Sequence, residues 1–283
     1  MDNPGEEGAL GEELSPYAGR WLAIIGGKVI SQGGTPHQAL NAAKNSRIKE
    51  TPTIVYVPTI KPIQYIPPID SILTSLPPEI PFFLVGGAVR DAILHKDIRD
   101  LDFIVPEDGL KIGRKVANRI NAAYYPLDKE RKTGRVIKRK SDGSKLVIDF
   151  TVMQGSNLIS DLRERDFTIN AIAVDVKNPY ELLDPLSGTA DLNAKILRSC
   201  TPNSFKSDPI RIIRGVRLAA SLDFRFHPQT RILMKKATFL IPQSSPERLR
   251  DEFFRILDGP QVSKSILALN FFEALQYLLP ELL

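Results

Sequence analysis

The sequence predicts an α+β fold with an all-helical part behind it, on three observations. Between residues 81 and 199, seven short apolar or alternating runs are interleaved with only three helical segments. From Cys200 to Leu283, apolar residues recur instead at three- and four-residue spacing. Ahead of both, residues 17–58 form a small ββαβ pattern of their own. A chain of 283 residues has room for two domains and a small third, and its 42% hydrophobic and 25% charged residues are ordinary for a globular protein.

Taken in order, residues 1–16 are acidic and Gly-rich, unlike a secretory signal, and read as disordered. In the module at 17–58, WLAII and KVIS flank Gly26-Gly27, a hairpin signal. Thr35-Pro36-His37-Gln38 then opens a helix, with an N-cap, Pro at the first helical position and Gln closing a capping box. The strand TIVYV ends the unit, and the absence of clustered reactive residues reads as a packing or docking module. Residues 58–81 hold seven of the 22 prolines, so 59–80 is predicted to be a stiff linker with a short helical piece at 70–76. Residues 81–200 follow as the α+β domain. Its predicted strands are FFLVG, LDFIV, AAYYPL, RVIKRK, KLVIDFTV, INAIAVDV and KILRS, and its helices fall at 88–95, 109–121 and 157–163. Residues 201–283 form the helical part, ending in LLPELL, an apolar close that looks cut from a longer helical array.

Composition excludes several function classes. The only cysteine, Cys200, rules out an internal disulfide and fits a reducing cytoplasm. No apolar run approaches the length of a membrane span. His37, His95 and His227 are scattered, so neither zinc-ligand spacing nor a His-centred triad is available. A net charge of +5 and a pI near 9.2 lean toward a polyanionic partner.

The chemistry concentrates in four places. In FLVGGAVRDAILHKDIRDLDFIV, an apolar run ends in Gly86-Gly87, a turn type that brings backbone N–H groups close to phosphate. Asp100 and Asp102 head the next apolar run, and carboxylates at i and i+2 of a strand share a face, where they can hold divalent metals against that phosphate. Asp149, central in LVIDFTV, is the candidate third acid; alternatively it is a carboxylate ion-paired to an arginine. Arg90 is either a phosphate contact or a structural salt bridge, with Asp91 bracing the loop. Arg165, Asp166 and Asn170 in RDFTINA offer a cation and hydroxyl acceptors to a ribose and phosphate, unless the segment is an ordinary helix end. Asp208, Arg211, Arg214 and Arg217 recur at three-residue spacing on one helix face. An Asp/Arg pair can read the amine-plus-acceptor edge that cytosine and adenine share. Asp208 is equally placed as an N-cap before Pro209, and the arginines as a solvated face.

In this order the segments resemble the class II tRNA nucleotidyltransferase and bacterial poly(A) polymerase family, within the DNA polymerase beta-like nucleotidyltransferase superfamily. LVGGAVRD with DLD, RDFTINA, DPLSGTADL, SDPIRIIRGVRLAA and SSPERLRDEFFRIL are similar to its five motifs, over roughly residues 81–283. The resemblance implies a nucleotidyltransferase head, a small mixed sheet flanked by helices, and a helical neck. It implies two Mg²⁺ ions on Asp100 and Asp102, and nucleotide phosphates at Gly86, Gly87 and Arg90. It further implies contacts from Arg165 to the sugar or phosphates, base reading by Asp208 and Arg211, and support from Arg214 and Arg217. The module at 17–58 resembles a little-characterised small domain that opens with Tyr-x-Gly-x-Trp, here Tyr17, Gly19 and Trp21.

Two departures stand out. Ser207 occupies the place of the Glu that usually precedes the Asp of the nucleotide-selecting motif, and the chain stops before the further helical domains that grip tRNA in that family. The expected activity is metal-dependent, template-independent addition of C and/or A from CTP or ATP to the 3′ end of an RNA, tRNA first, with release of pyrophosphate. A bacterial poly(A) polymerase, a non-catalytic RNA-binding relic and a nucleotidyltransferase acting on a small molecule are the competing expectations.

Overall fold

The computed structural model describes residues 15–46, 50–57, 74, 80–98, 100–106, 108–140 and 142–282. Most of the disordered start expected over 1–16, and the linker and helical piece expected within 59–80 apart from Thr74 and Ile80, lie outside the described residues.

The N-terminal module has the ββαβ order expected. β1 (Arg20–Ile25) and β2 (Lys28–Gly33) pair antiparallel through Gly26 and Gly27, whose φ values of 54° and 75° suit the left-handed two-residue turn. α1 (Pro36–Asn45) starts on the Thr35 cap, whose hydroxyl accepts from the Gln38 N–H, and β3 (Thr53–Val57) adds to the free side of β1. The sheet order is β2-β1-β3.

The second sheet carries the candidate chemistry. Its strands are β4 (Phe83–Val85), β5 (Asp100–Val105), β6 (Ala123–Asp128), β7 (Thr133–Arg139), β8 (Lys145–Val152), β9 (Ala173–Asp175) and β10 (Leu182–Leu183). They lie in the order β10-β9-β4-β5-β8-β7-β6. β5 and β8 run parallel and every other neighbour pair is antiparallel, which makes the sheet mixed. α2 (Gly87–Ile93) leaves β4, and α3 (Gly109–Arg119) begins the connection from β5 into β6.

One sheet face is apolar. Leu84, Phe103 and Phe150 are fully or almost fully buried and lie opposite one another in register, with the Phe103 and Phe150 rings stacked at 5.4 Å. The residue paired with Phe150 on β7 is Gly134. Its missing side chain admits α3, since a β-carbon there would stand 2.7 Å from the Gly109 carbonyl oxygen. The helix turns Ile112, Gly113, Val116 and Ala117 inward.

The helical unit contains α4 (Leu158–Arg163), α5 (Gly188–Ala194), α6 (Ser204–Ser207), α7 (Arg211–Leu222), α8 (Pro228–Ala237), α9 (Pro246–Leu257), α10 (Val262–Phe271) and α11 (Leu275–Leu278). A two-stranded parallel ladder, β11 (Ile196–Leu197) with β12 (Arg225–Phe226), belongs to it as well.

The compact units of the structure are drawn differently from the expected domains. A single cut at residue 200 was expected, but residues 155–171 and 185–200 form a compact unit with the rest of the helical part, while 172–184 return to the sheet. Polar bonds explain it. The Thr168 hydroxyl donates to Asp191, Asp191 is bridged by Arg198, and the Thr168 N–H donates to the Arg198 carbonyl, all at 2.7–3.2 Å. KILRS therefore pairs with β12 and not with the large sheet. INAIAVDV is broken likewise: Thr168–Asn170 is a 3₁₀ turn and only Ala173–Asp175 is strand.

Candidate active site

The expected acids line up across the sheet. Register places Ala173, Val85, Asp102, Asp149, Arg135 and Tyr125 in one row, on the face opposite the aromatic stack. Asp100 precedes Asp102 by two residues and shares its face, whereas Leu101 between them is buried. β4 ends at Val85, the partner of Asp102, so the chain leaves the sheet at Gly86 right beside the acid row. Gly86 has φ 75° and ψ −141°, a combination glycine adopts without strain.

Asp149 is where the sequence put it, and the ion-paired alternative is the one found. Arg135 Nε donates to its Oδ1 at 2.8 Å and Nη2 to its Oδ2 at 2.7 Å. Those hydrogen bonds raise the Arg135 guanidinium above its ordinary value; burial opposes them, and the charges of Asp149, Asp100 and Asp102 add to them. Asp149 is therefore not an open third ligand but a carboxylate neutralised by a two-toothed arginine. Arg135 itself was missed: counting outward from a two-residue Asp142-Gly143 turn would put Val136 opposite Asp149, whereas the observed register pairs Arg139 with Lys145 and Arg135 with Asp149.

Arg90 is also engaged. It bonds Asp91 through both teeth at 2.8 Å and folds over Gly87, where a β-carbon would come within 3.3 Å of its Nη2. The bracing expected of Asp91 is thus made to Arg90. Close to the start of β5, a cleft of about 820 Å³ is lined by His95, Lys96, Lys140 and Lys145 together with Asp97 and Asp142.

Hard divalent cations take carboxylate oxygens and keep several waters or substrate phosphates in their shells. Asp100 and Asp102 on one face fit that preference. Among the described residues no group of three or more His, Cys, Asp or Glu side chains is arranged around one metal position.

The remaining expected residues gather in the helical unit, and most hold one another. Asp166 and Asn170, the expected acceptors for a ribose, are 7% and 3% exposed. Asp166 Oδ1 accepts from the Phe167 N–H at 2.8 Å and from Asn170 Nδ2 at 2.9 Å, and its Oδ2 meets Arg214 Nε at 2.7 Å. Burial alone would raise this carboxyl; Arg214, Asn170, the Phe167 N–H and Arg211 outweigh it and leave it below the usual range. The segment is buried because Phe167 and Ile169 are core residues. Arg165 Nη2 lies 3.7 Å from Asp161, and its Nε is buried without a hydrogen-bond partner among the described residues.

Arg217, expected to support the nucleotide, donates through its Nε to the buried Glu252 on α9 at 2.7 Å. Asp208 is neither on the arginine helix nor its cap, because α7 begins at Arg211 after the cap Ile210 and Asp208 is extended at φ −150°. Arg248 grips it, a partner 40 residues away that local spacing does not signal. Arg211 donates to the carbonyls of Glu164, Arg165 and Ser204. Burial pushes the nearby Cys200 thiol far up, and Asp166 adds to it, so the lone cysteine is no nucleophile.

Three stretches of the chain match known families. Residues 82–198 match the poly A polymerase head domain, and 223–283 match the probable RNA and SrmB-binding site of polymerase A. Residues 12–60 match a family of unknown function. The chain is similar to a CC-adding tRNA nucleotidyltransferase of Geobacter sulfurreducens, 41% identical over 72% of this chain and 47% of that protein. It is also similar to an A-adding tRNA nucleotidyltransferase of Deinococcus radiodurans, 35% identical over 73% of this chain and 48% of that protein. Among solved structures, the Thermotoga maritima CCA-adding enzyme complexed with tRNA superposes with a TM-score of 0.63 at 28% identity, over 75% of this chain and 55% of that one. The chain thus spans about half the length of the curated relatives it matches. With the mixed-sheet head and the helical neck both present, the chain belongs to the tRNA nucleotidyltransferase and poly(A) polymerase family.

Proposed function

We propose that this protein adds C and/or A, without a template, to the 3′ end of an RNA, most directly tRNA, and releases pyrophosphate. The observation that carries the reading is the acid row: Asp100 and Asp102 on one face, beside the glycine turn that leaves β4. The CC-adding and A-adding relatives name the substrate class.

In the reaction the RNA 3′ oxygen forms a bond to the α-phosphorus of CTP or ATP. The bond to the β-phosphate bridge breaks, pyrophosphate leaves and the hydroxyl proton passes to solvent. Asp100 and Asp102 are the residues that would hold the metal, which we take to be two Mg²⁺ ions. When bound, such ions activate an attacking oxygen and neutralise a leaving pyrophosphate. Arg135 keeps Asp149 in the row while cancelling its charge. Arg165 is the candidate of the RDFTINA segment for the nucleotide's sugar or phosphates. Asp208 and Arg211 are proposed to read the base, with Gly86, Gly87 and Arg90 shaping the phosphate end. The lone cysteine, Cys200, suits a reducing cytoplasm.

The test is incorporation of labelled CTP or ATP into tRNA trimmed by one, two or three 3′ residues, with Mg²⁺ present. One to three nucleotides should be added by the wild type and none by Asp102→Ala of equal melting temperature. A long homopolymer would make it a poly(A) polymerase; RNA binding with no incorporation and no nucleotide binding would make it a relic.

A further inference from the structure

Arg211, the proposed base reader that an acid at position 207 would orient, is oriented here by the main chain. Ser207 turns its hydroxyl back to the Ser204 carbonyl at 3.2 Å. Arg211 Nη2 donates to the Glu164 carbonyl at 2.6 Å, and Nη1 reaches the carbonyls of Arg165 and Ser204 at 3.3 Å each. Those acceptors are backbone, so the guanidinium is aimed without a second acid.

Asp208 then needs an orienting group of its own. Arg211 Nε stands 3.7 Å from Asp208 Oδ2, outside hydrogen-bond distance. Arg248, in the first turn of α9, makes the fork: Nη1 to Oδ1 at 3.2 Å and Nη2 to Oδ2 at 2.9 Å. Two parallel N–H···O bonds fix both the position and the plane of a carboxylate. The residue bearing the fork is itself located, since the Arg248 N–H donates to the Ser245 cap at 3.4 Å. One turn further, Arg217 clamps α7 to α9 through buried Glu252 at 2.7 Å.

We propose that Arg248 is a specificity-determining positioning residue: it holds Asp208 so that the carboxylate's remaining lone pairs face the exocyclic amine of cytosine or adenine. This rests on the reading of Asp208 and Arg211 as the base-selecting pair. An ionised carboxylate accepts about four hydrogen bonds, and the fork uses two. The remaining pair welcomes an amine and meets a carbonyl oxygen of uracil or guanine with nothing to donate. Freed from Arg248, the carboxylate can rotate and that difference is blurred. Arg248 is 56% exposed, so its removal leaves the fold in place.

The full-length protein is compared with Arg248→Ala, Arg248→Lys and the α9 control Glu247→Ala, in two assays. The first is the kcat/KM for CTP, ATP, UTP and GTP on trimmed tRNA; the second is calorimetric binding of CTP and of UTP without RNA. Arg248→Ala should lower the CTP-over-UTP preference at least tenfold in both, chiefly through the KM for CTP. Arg248→Lys, a point charge without the fork, should recover part of it, and Glu247→Ala none of the defect. A wild type that binds CTP selectively without incorporating it, with the preference lost in Arg248→Ala, supports the positioning role and refutes the transferase reading. Retained preference in Arg248→Ala, an equal fall in kcat for all four nucleotides, or a wild type without base preference in either assay overturns the proposal.

Discussion

Replacing Asp166 by Ala removes an acceptor that three groups share in a buried place. The Phe167 N–H belongs to a fully buried residue and loses its 2.8 Å partner, and the 3% exposed Asn170 loses a 2.9 Å acceptor. A buried donor stripped of its acceptor costs about 1–3 kcal/mol. Arg214 is 45% exposed and can return to water, so its pair contributes less than about 1 kcal/mol. The expected loss is about 3–4 kcal/mol, which a urea m-value of about 3 kcal/mol/M turns into a midpoint shift of about 1 M. Asp166→Asn keeps one oxygen and should lose about half as much. The pH dependence has a definite sign. The folded-state value of Asp166 lies below its ordinary carboxylate value. Its contribution is therefore complete above about pH 4, the unfolded value, and fades as pH falls through the folded one. The gap between wild type and Asp166→Asn must narrow on acidification below that point. A shift under about 0.3 M for Asp166→Ala, or a gap that stays constant down the acid limb, would refute the assignment of this knot as a principal tie of the helical unit.

Gly109→Ala would place a β-carbon against the carbonyl oxygens of Phe150 in β8 and of Lys132 just before β7, both main-chain atoms. It should cost more than about 3 kcal/mol in thermal or urea unfolding, while Gly143→Ala, with open space around it, should cost about 1 for its positive φ. Arg135→Gln leaves Asp149, 13% exposed, beside Asp102 without its cation; Arg135 is itself 36% exposed, so the discounted cost is about 2 kcal/mol. Divalent ions that neutralise the row should restore part of it. Saturating Mg²⁺ should therefore raise the melting temperature of Arg135→Gln more than that of the wild type, and adding EDTA should cancel the difference.

Alternation and turn chemistry made the large sheet legible. Asp100-Leu101-Asp102 follows a period of two, and Gly86 sits where a strand must turn with positive φ. What sequence could not show is which charge answers which. Asp166 and Arg214 are 48 residues apart, Asp208 and Arg248 40, and Arg217 and Glu252 35. A guanidinium on a helix looks the same from its own segment whether it awaits a phosphate or already holds a carboxylate. Spacing on one face was therefore a sound guide to where Arg211, Arg214 and Arg217 lie and a poor one to what they touch. The two-residue strands failed for a related reason: Ile196-Leu197 is too short to declare its partner, and a Thr168–Asp191–Arg198 network that no local pattern announces sends it to Arg225-Phe226.

Because β4 takes its second neighbour, β9, from residues 172–184, a ribosome must translate through the first helical insertion before that edge can close. Until Asp175 emerges, the strand that delivers Gly86 hangs with one rank of main-chain groups bare, open to a wrong strand. No contiguous fragment ending before Ala173 contains a finished seven-stranded sheet, so a shortened version of the protein would have to carry the excursion through 155–171 along with it.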